Sequence, residues 1–288
     1  MVAPSLSSGT ARTVGCLAVA LLIVVGIGVG SFWWLRNRGL TDPVPGQQRC
    51  VATANGRSVV LDLDQANYAS IIVGLSAKRG LPPRAASIAM ATVYQETGIR
   101  NLDYGDRDSV GLFQQRPSQG WGTKQQLLDP DYAAGKFYDA LVKIKNWETD
   151  DINDVAQKIQ RSGHPEAYND HEADARVLAS ALTGQSPAGF SCLDRSGTSG
   201  STKGLRTSLQ RTFGNINDSA EGSVISIRAS GDRHAWAYAH YAVANAKFYG
   251  VTTVKIGDRT WQTQDFNLPD WQQLSPTLKN ERVEITVR

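Results

Sequence analysis

The sequence predicts a mainly α body, preceded by one transmembrane helix and followed by a small α+β domain. Three observations carry this reading. Residues 13–35 hold no charged side chain. The middle of the chain is a succession of apolar runs at helical spacing, punctuated by Asp, Pro and Gly, without sustained strand alternation. Past a Gly/Ser-rich stretch the pattern shifts to the two-residue alternation of strands.

As a helix, residues 13–35 reach ~34 Å, long enough for the hydrocarbon core of a bilayer. Phe32, Trp33 and Trp34 fall at the outer end, where an aromatic belt belongs. No clean small-residue cleavage site follows, which favours a retained signal-anchor over a cleaved signal peptide. Cys16 lies at the start of the apolar run instead of ending it, and so is no lipid-attachment site. Arg12 on one side and Arg36 and Arg38 on the other leave the charge rule nearly balanced. The remaining cysteines, Cys50 and Cys192, are one bridge or two free thiols. The bridge is the stronger reading, because an anchor places both in one oxidising compartment. It puts residues 1–12 in the cytoplasm and the body outside, a single pass through the cell membrane. Residues 36–57, with Pro43 and Pro45, read as a linker.

The mainly α segment spans residues 58–193. Asp64 can cap a first helix running to Lys78, with Ile71, Ile72 and Leu75 inward and Gly80 as the stop. Pro82-Pro83 opens a second, which closes at Gly98. Asp129-Pro130 starts a third through Phe137, Leu141 and Ile144. Asp150 or Asp151 caps a fourth ending at Gly163, and a fifth runs from near Pro165 to Gly184. Residues 194–204 carry no apolar side chain and read as a tether. In residues 205–288, a strand at 223–229 precedes an alanine-rich helix at 232–249, whose Ala235, Trp236, Ala239 and Val243 are ordinary core. A hairpin turning at Gly257-Asp258 and a strand at 283–287 complete a small α+β unit.

Composition excludes several functions. Thirty Lys+Arg against 27 Asp+Glu give a net charge of +3 with no basic run, which argues against nucleic acid as a partner. One span cannot form a transport pathway. No Gly-x-Ser-x-Gly elbow or phosphate-binding glycine loop occurs. His164 and His171, seven apart among acidic residues, read as a solvated helix start, so neither a metal nor a cofactor is assigned.

Glu96 stands out by position. It falls in the last turn of the second helix, with Val93, Thr92, Ala89 and Ile88 on its face. An apolar face and the negative end of the helix dipole both favour the protonated acid. That is the state a general acid needs near neutral pH. The loop at 101–122 follows, long and dense in Asp, Gly, Gln and aromatics. Gly111 permits close backbone approach, Gln114 and Gln115 can bond several hydroxyls, and Tyr104 and Trp121 offer faces for sugar rings.

Glu96-Thr97-Gly98 and then Gly111-Leu112-Phe113-Gln114 resemble the Glu-Ser-Gly and Gly-Leu-Met-Gln motifs of soluble lytic transglycosylases and goose-type lysozymes. Ala167-Tyr168-Asn169 follows, Tyr168 lying 54 residues past Gln114, and resembles the start of that superfamily's Ala-Tyr-Asn-Ala-Gly motif. The likeness covers roughly residues 58–190, and the whole chain is similar to membrane-anchored lysozyme-like proteins of high-GC Gram-positive bacteria. Thr97 and Phe113 are mild departures, whereas Asp170-His171 breaks the third motif. The resemblance implies a lysozyme-like fold for residues 58–193 and cleavage of peptidoglycan glycan strands. Glu96 would protonate the bond between N-acetylmuramic acid and N-acetylglucosamine. Thr97 and Gln114 would lie toward the substrate, with Tyr168 beside the reacting ring.

A lytic transglycosylase needs no second carboxylate, because the muramyl 6-hydroxyl attacks its own anomeric carbon. Inverting hydrolysis needs one ~6.5–9.5 Å away, for which Asp103, Asp106 and Asp108 are candidates. The alternative to an enzyme is a non-catalytic module of the same fold that binds glycan or a wall-assembly partner. The C-terminal domain binds wall polymer or such a partner, or simply extends the fold.

Overall fold

The computed structural model describes residues 46–161, 166, 168–279 and 281–288. The anchor expected at 13–35, Cys16 and residues 1–12 lie outside them, as do Gly163, His164, Pro165 and Ala167. Among the described residues no helix is long and apolar enough to cross a membrane.

The mainly α expectation for the body is corrected. From Gly46 on, the chain forms one compact unit with two antiparallel sheets, one of three strands and one of six. The smaller sheet stands where a linker and the two ends of the mainly α segment were expected. Its strands β1 (Arg49–Ala54) and β2 (Arg57–Leu61) form a hairpin. Asn55 and Gly56 make the turn at φ 51° and 75°, the left-handed pair that a two-residue hairpin demands. A third strand, β3 (Phe190–Leu193), joins the other edge of β1 and sets Cys50 opposite Cys192. These two cysteines form the expected disulfide. The buried side of β1 is Cys50, Ala52 and Ala54. Small residues alternate there, so no bulky β-branched pattern announces the strand.

The helix α1 (Leu63–Lys78) starts two residues earlier than expected. Asp62, not Asp64, is its cap: it accepts from the Gln65 amide at 2.8 Å, and the Gln65 side chain accepts from the Asp62 amide at 2.9 Å. Asp64 instead pairs with Lys247 at 2.6 Å. The next helix, α2 (Pro83–Thr97), opens and closes as expected, at Pro82-Pro83 and Gly98. It is followed by α3 (Lys124–Leu127), α4 (Pro130–Leu141) capped by Asp129, and α5 (Ile152–Gln160) capped by Asp151. A 3-10 turn at Asn169–His171 leads into α6 (Glu172–Leu182). Helix α2 packs against α1, α4, α5 and α6, which makes it the axis of this half.

Helix α7 (Thr202–Phe213) begins inside the expected tether, with Ser201 accepting from the Gly204 amide at 3.0 Å. It crosses α1 at Gly74, where a Cβ would fall 2.4 Å from the Thr212 methyl. Only glycine allows that approach. Beyond it lie β4 (Asn217–Glu221), β5 (Val224–Arg228), α8 (Asp232–Ala244), α9 (Ala246–Tyr249), β6 (Val251–Ile256), β7 (Arg259–Gln262), β8 (Gln272–Gln273) and β9 (Arg282–Val287). The sheet order is β4-β5-β9-β6-β7-β8, antiparallel throughout.

Helix α8 touches β6 and β9 on one side and α1, α6 and β3 on the other. It is buried almost all round, as a helix between two layers must be. Two indoles extend the contact: Trp261 donates to Ser191 Oγ at 3.0 Å and Trp271 to the Phe190 carbonyl at 2.9 Å. One apolar core therefore runs from β1 to β9.

Candidate active site

Glu96 lies in the last turn of α2, and that helix end is firmly held. The Gly98 and Ile99 amides turn back to the Tyr94 and Val93 carbonyls at 2.9 and 3.0 Å, a left-handed helix stop. Gln65 donates to the Gly98 carbonyl at 2.8 Å, and Arg100 pairs with Asp62 at 2.6 Å. The start of α1 thus braces the end of α2. The Thr97 hydroxyl lies 2.9 Å from the Leu112 carbonyl and 3.1 Å from that of Val93, and accepts from the Arg100 amide at 3.2 Å. Thr97, expected to lie toward the substrate, staples the loop at 111–114 to the helix that carries Glu96.

The Glu96 side chain is half-buried, and its Oε1 receives two donors. The Tyr168 hydroxyl donates at 2.8 Å and Gln160 Nε2 at 3.2 Å. Gln160 also donates to the Phe113 carbonyl at 2.8 Å, so one amide joins α5, the loop and the acid. Burial pushes the Glu96 carboxyl above its ordinary value, and the two donors pull part of that rise back. Tyr168 is fully buried, and its amide donates to Asn153 Oδ1 at 3.2 Å. The break in the third motif has a local role: His171 stacks on Tyr94 at 5.3 Å between ring centres and lies 3.1 Å from Gln95 Oε1.

The three candidate carboxylates differ. Asp108 pairs with Arg116 at 2.8 Å and accepts from the Ser118 amide at 2.7 Å and its hydroxyl at 3.0 Å. Those donors hold its carboxyl well below the usual range, as a fixed anion that ties the loop together. Asp106 is almost wholly exposed, 3.8 Å from Arg107, and Asp103 is exposed. Among the described residues, none of the three is hydrogen-bonded to Glu96.

Gly111 has φ 79°, and a Cβ there would fall 2.3 Å from the Leu127 carbonyl oxygen. This is the close approach the sequence suggested. Gln114 Nε2 lies 3.2 Å from the Tyr104 carbonyl, and the Tyr104 ring is 68% exposed. Gln115 is buried and donates to the Ala133 carbonyl at 3.2 Å, so it serves chiefly as a pin between the loop and α4. Trp121 is half-buried, its carbonyl accepting from Tyr132 Oη at 3.3 Å.

Gln114, Gln115, Trp121 and Gln160 line a groove of about 630 Å³, bounded also by α4 and α5. Gln160 is the residue sequence reading missed. Its one signal was the spacing to Ala156 and Ile159, which sets it at the edge of the buried face of α5. Among the described residues no cluster of His, Cys, Asp and Glu could hold a metal ion. No protein-family model matches the chain, and no match is found among curated proteins.

Proposed function

We propose that this protein cleaves the glycan strands of peptidoglycan between N-acetylmuramic acid and N-acetylglucosamine, by the lytic transglycosylase route. The observation that carries the reading is the Glu96 carboxyl, made a weaker acid by burial and held by Tyr168 and by Gln160, the residue that links it to the groove lining. Among the described residues both donors use Oε1, and Oε2 is the oxygen that carries the proton in this reading. Glu96 gives that proton to the glycosidic oxygen as the bond to the anomeric carbon breaks. The muramyl 6-hydroxyl then bonds to the anomeric carbon and returns its proton to Glu96, leaving a 1,6-anhydro end.

The ordered resemblance of the Glu96, Gln114 and Tyr168 motifs supports the same reading, as does the hydrogen bond between Tyr168 and Glu96. The commitment of Asp108 to Arg116 and Ser118 favours the anhydro route over a hydrolase with that carboxylate as base. The Cys50–Cys192 bridge supports an oxidising, extracytoplasmic setting, where wall glycan is found.

The test is a digest of purified glycan strands by the full-length protein, with product masses. Anhydro ends are expected, and Glu96→Gln should lower the rate ~10²–10⁴-fold. Asp103→Asn, Asp106→Asn and Asp108→Asn should each retain cleavage. Reducing ends, with one of these three as inactive as Glu96→Gln, would make the protein a hydrolase. Full activity of Glu96→Gln would remove Glu96 as the general acid, and absence of product from the intact protein would leave only a glycan-binding module.

A further inference from the structure

The groove beside Glu96 carries a charge pattern that cleavage itself does not use. Arg116, Lys136, Lys143, Lys158 and Arg161 line it, against Asp139 alone. Three of these six are already engaged: Arg116 with Asp108, Lys158 with Asp150 and Asp139 with Arg79, each at 2.8 Å. Among the described residues Lys136, Lys143 and Arg161 enter no ion pair.

These three cations come from different elements. Lys136 projects from α4, where its ammonium lies 5.4 Å from the centre of the Tyr132 ring. Lys143 sits just past the end of α4. Arg161 closes α5 in the left-handed conformation, at φ 53°, directly after Gln160. Uncompensated charges of one sign around a concave space focus its potential and draw in anions. The hydroxyls and acetamides of a neutral sugar need none of them, because Gln114, Gln160 and Trp121 already offer amides and a ring face.

We infer that this groove reads charge: it takes a stretch of glycan strand bearing an oxyanion, a carboxylate or a phosphodiester, next to the cleavage point. The glycan part rests on the function proposed above, while the charge preference rests on the groove alone. A nucleic acid is less well suited. It carries one phosphate per nucleotide, and three separated cations with Asp139 among them make no continuous track for that spacing.

The full-length Glu96→Gln protein, which consumes no probe, is titrated with three hexameric glycans. One is the neutral N-acetylglucosamine hexamer, one carries free lactyl carboxylates on alternate sugars, and one carries phosphate. A single-stranded hexanucleotide is the fourth probe. At low salt at least one anionic glycan should bind roughly tenfold more tightly than the neutral one, and added salt should shrink the advantage. Whether the carboxylate or the phosphate probe gains more identifies the anion.

Adding Lys136→Gln, Lys143→Gln and Arg161→Gln should bring the ratio to about one with an unchanged thermal melt. The Lys136→Gln/Lys143→Gln pair should lose most of the preference. Equal binding of all three glycans, a preference that survives the triple variant, or tighter binding of the hexanucleotide would each overturn the inference. Failure of the cleavage reading looks different: the protein with Glu96 intact would release no product from any glycan, whatever the order of binding.

Discussion

The Tyr168 hydroxyl donates to Glu96 Oε1 at 2.8 Å, across 72 positions of the chain. One partner ends a helix and the other lies on the turn before α6, so the contact exists only once α2 and α6 have packed. The carboxyl is thereby held in a half-dry setting, with two donors on Oε1 and no partner for Oε2 among the described residues.

Burial raises the Glu96 pKa above its ordinary value, so the protonated form persists above the usual carboxylate range. The rate should fall as pH rises through that elevated value. Tyr168→Phe removes a donor that stabilises the anion, and should move this alkaline limb up by roughly one pH unit. A pH–rate profile of the two proteins checks the sign. A downward shift would show that the hydroxyl does not stabilise the carboxylate.

Gln160→Leu deletes the bonds to both Glu96 and the Phe113 carbonyl. The acid should weaken further and the loop at 111–114 should lose its tie to α5. We expect kcat to drop about tenfold, the effect of a loss of roughly 1.4 kcal/mol in the transition state, with a smaller change in KM. Equal loss in both parameters would place Gln160 in substrate binding instead.

His240 is fully buried among Phe190, Trp236 and Trp271, with Nδ1 2.8 Å from the Ala181 carbonyl. Nδ1 is therefore the protonated nitrogen of a neutral ring. Burial lowers its pKa from 6.5 to about 4. Between those values the unfolded chain binds a proton that the folded one refuses, so stability is full above about pH 6.5 and declines as pH falls toward 4. The loss is on the order of 3 kcal/mol. Urea titrations at several pH values should show this slope in the native protein and a shallower one in His240→Gln.

The Cys50–Cys192 bridge closes 142 residues and joins facing positions of β1 and β3. Reduction should cost about 2–5 kcal/mol, mostly by freeing the unfolded chain. Denaturant midpoints with and without reductant measure this. An unchanged midpoint would show that the packed strands hold the two ends without the bond.

Much of this was legible from residues alone, for local reasons. The helices α2, α4 and α5 follow from Pro83, Asp129-Pro130, Asp151 and Gly98, because caps and stops act within a turn. Glu96 was legible through its position at a helix end beside an apolar face. The alternation and Gly257-Asp258 turn of the last strands were equally local. Asn55-Gly56, a strong hairpin signal, went unread because β1 buries cysteine and alanine in place of branched residues. Strand β3 carries no local mark and exists by pairing with β1.

Tertiary packing decided the rest. Thr97, Gln115 and Asp108 are chemically fit to meet a sugar, yet each is occupied by partners 8 to 18 positions away. Gln160 looks like a surface side chain until α5 lies against α2, 64 positions earlier. The sequence by itself determined where helices begin and end, which cysteines can pair and which carboxyl sits beside an apolar face. Those properties depend on neighbours within a few residues or on simple counting. Only the tertiary structure decided that two antiparallel sheets frame the helices, that α8 is buried between layers, and which polar groups remain open toward the groove. Burial and hydrogen-bond partnership are settled between distant segments, and no local pattern encodes them.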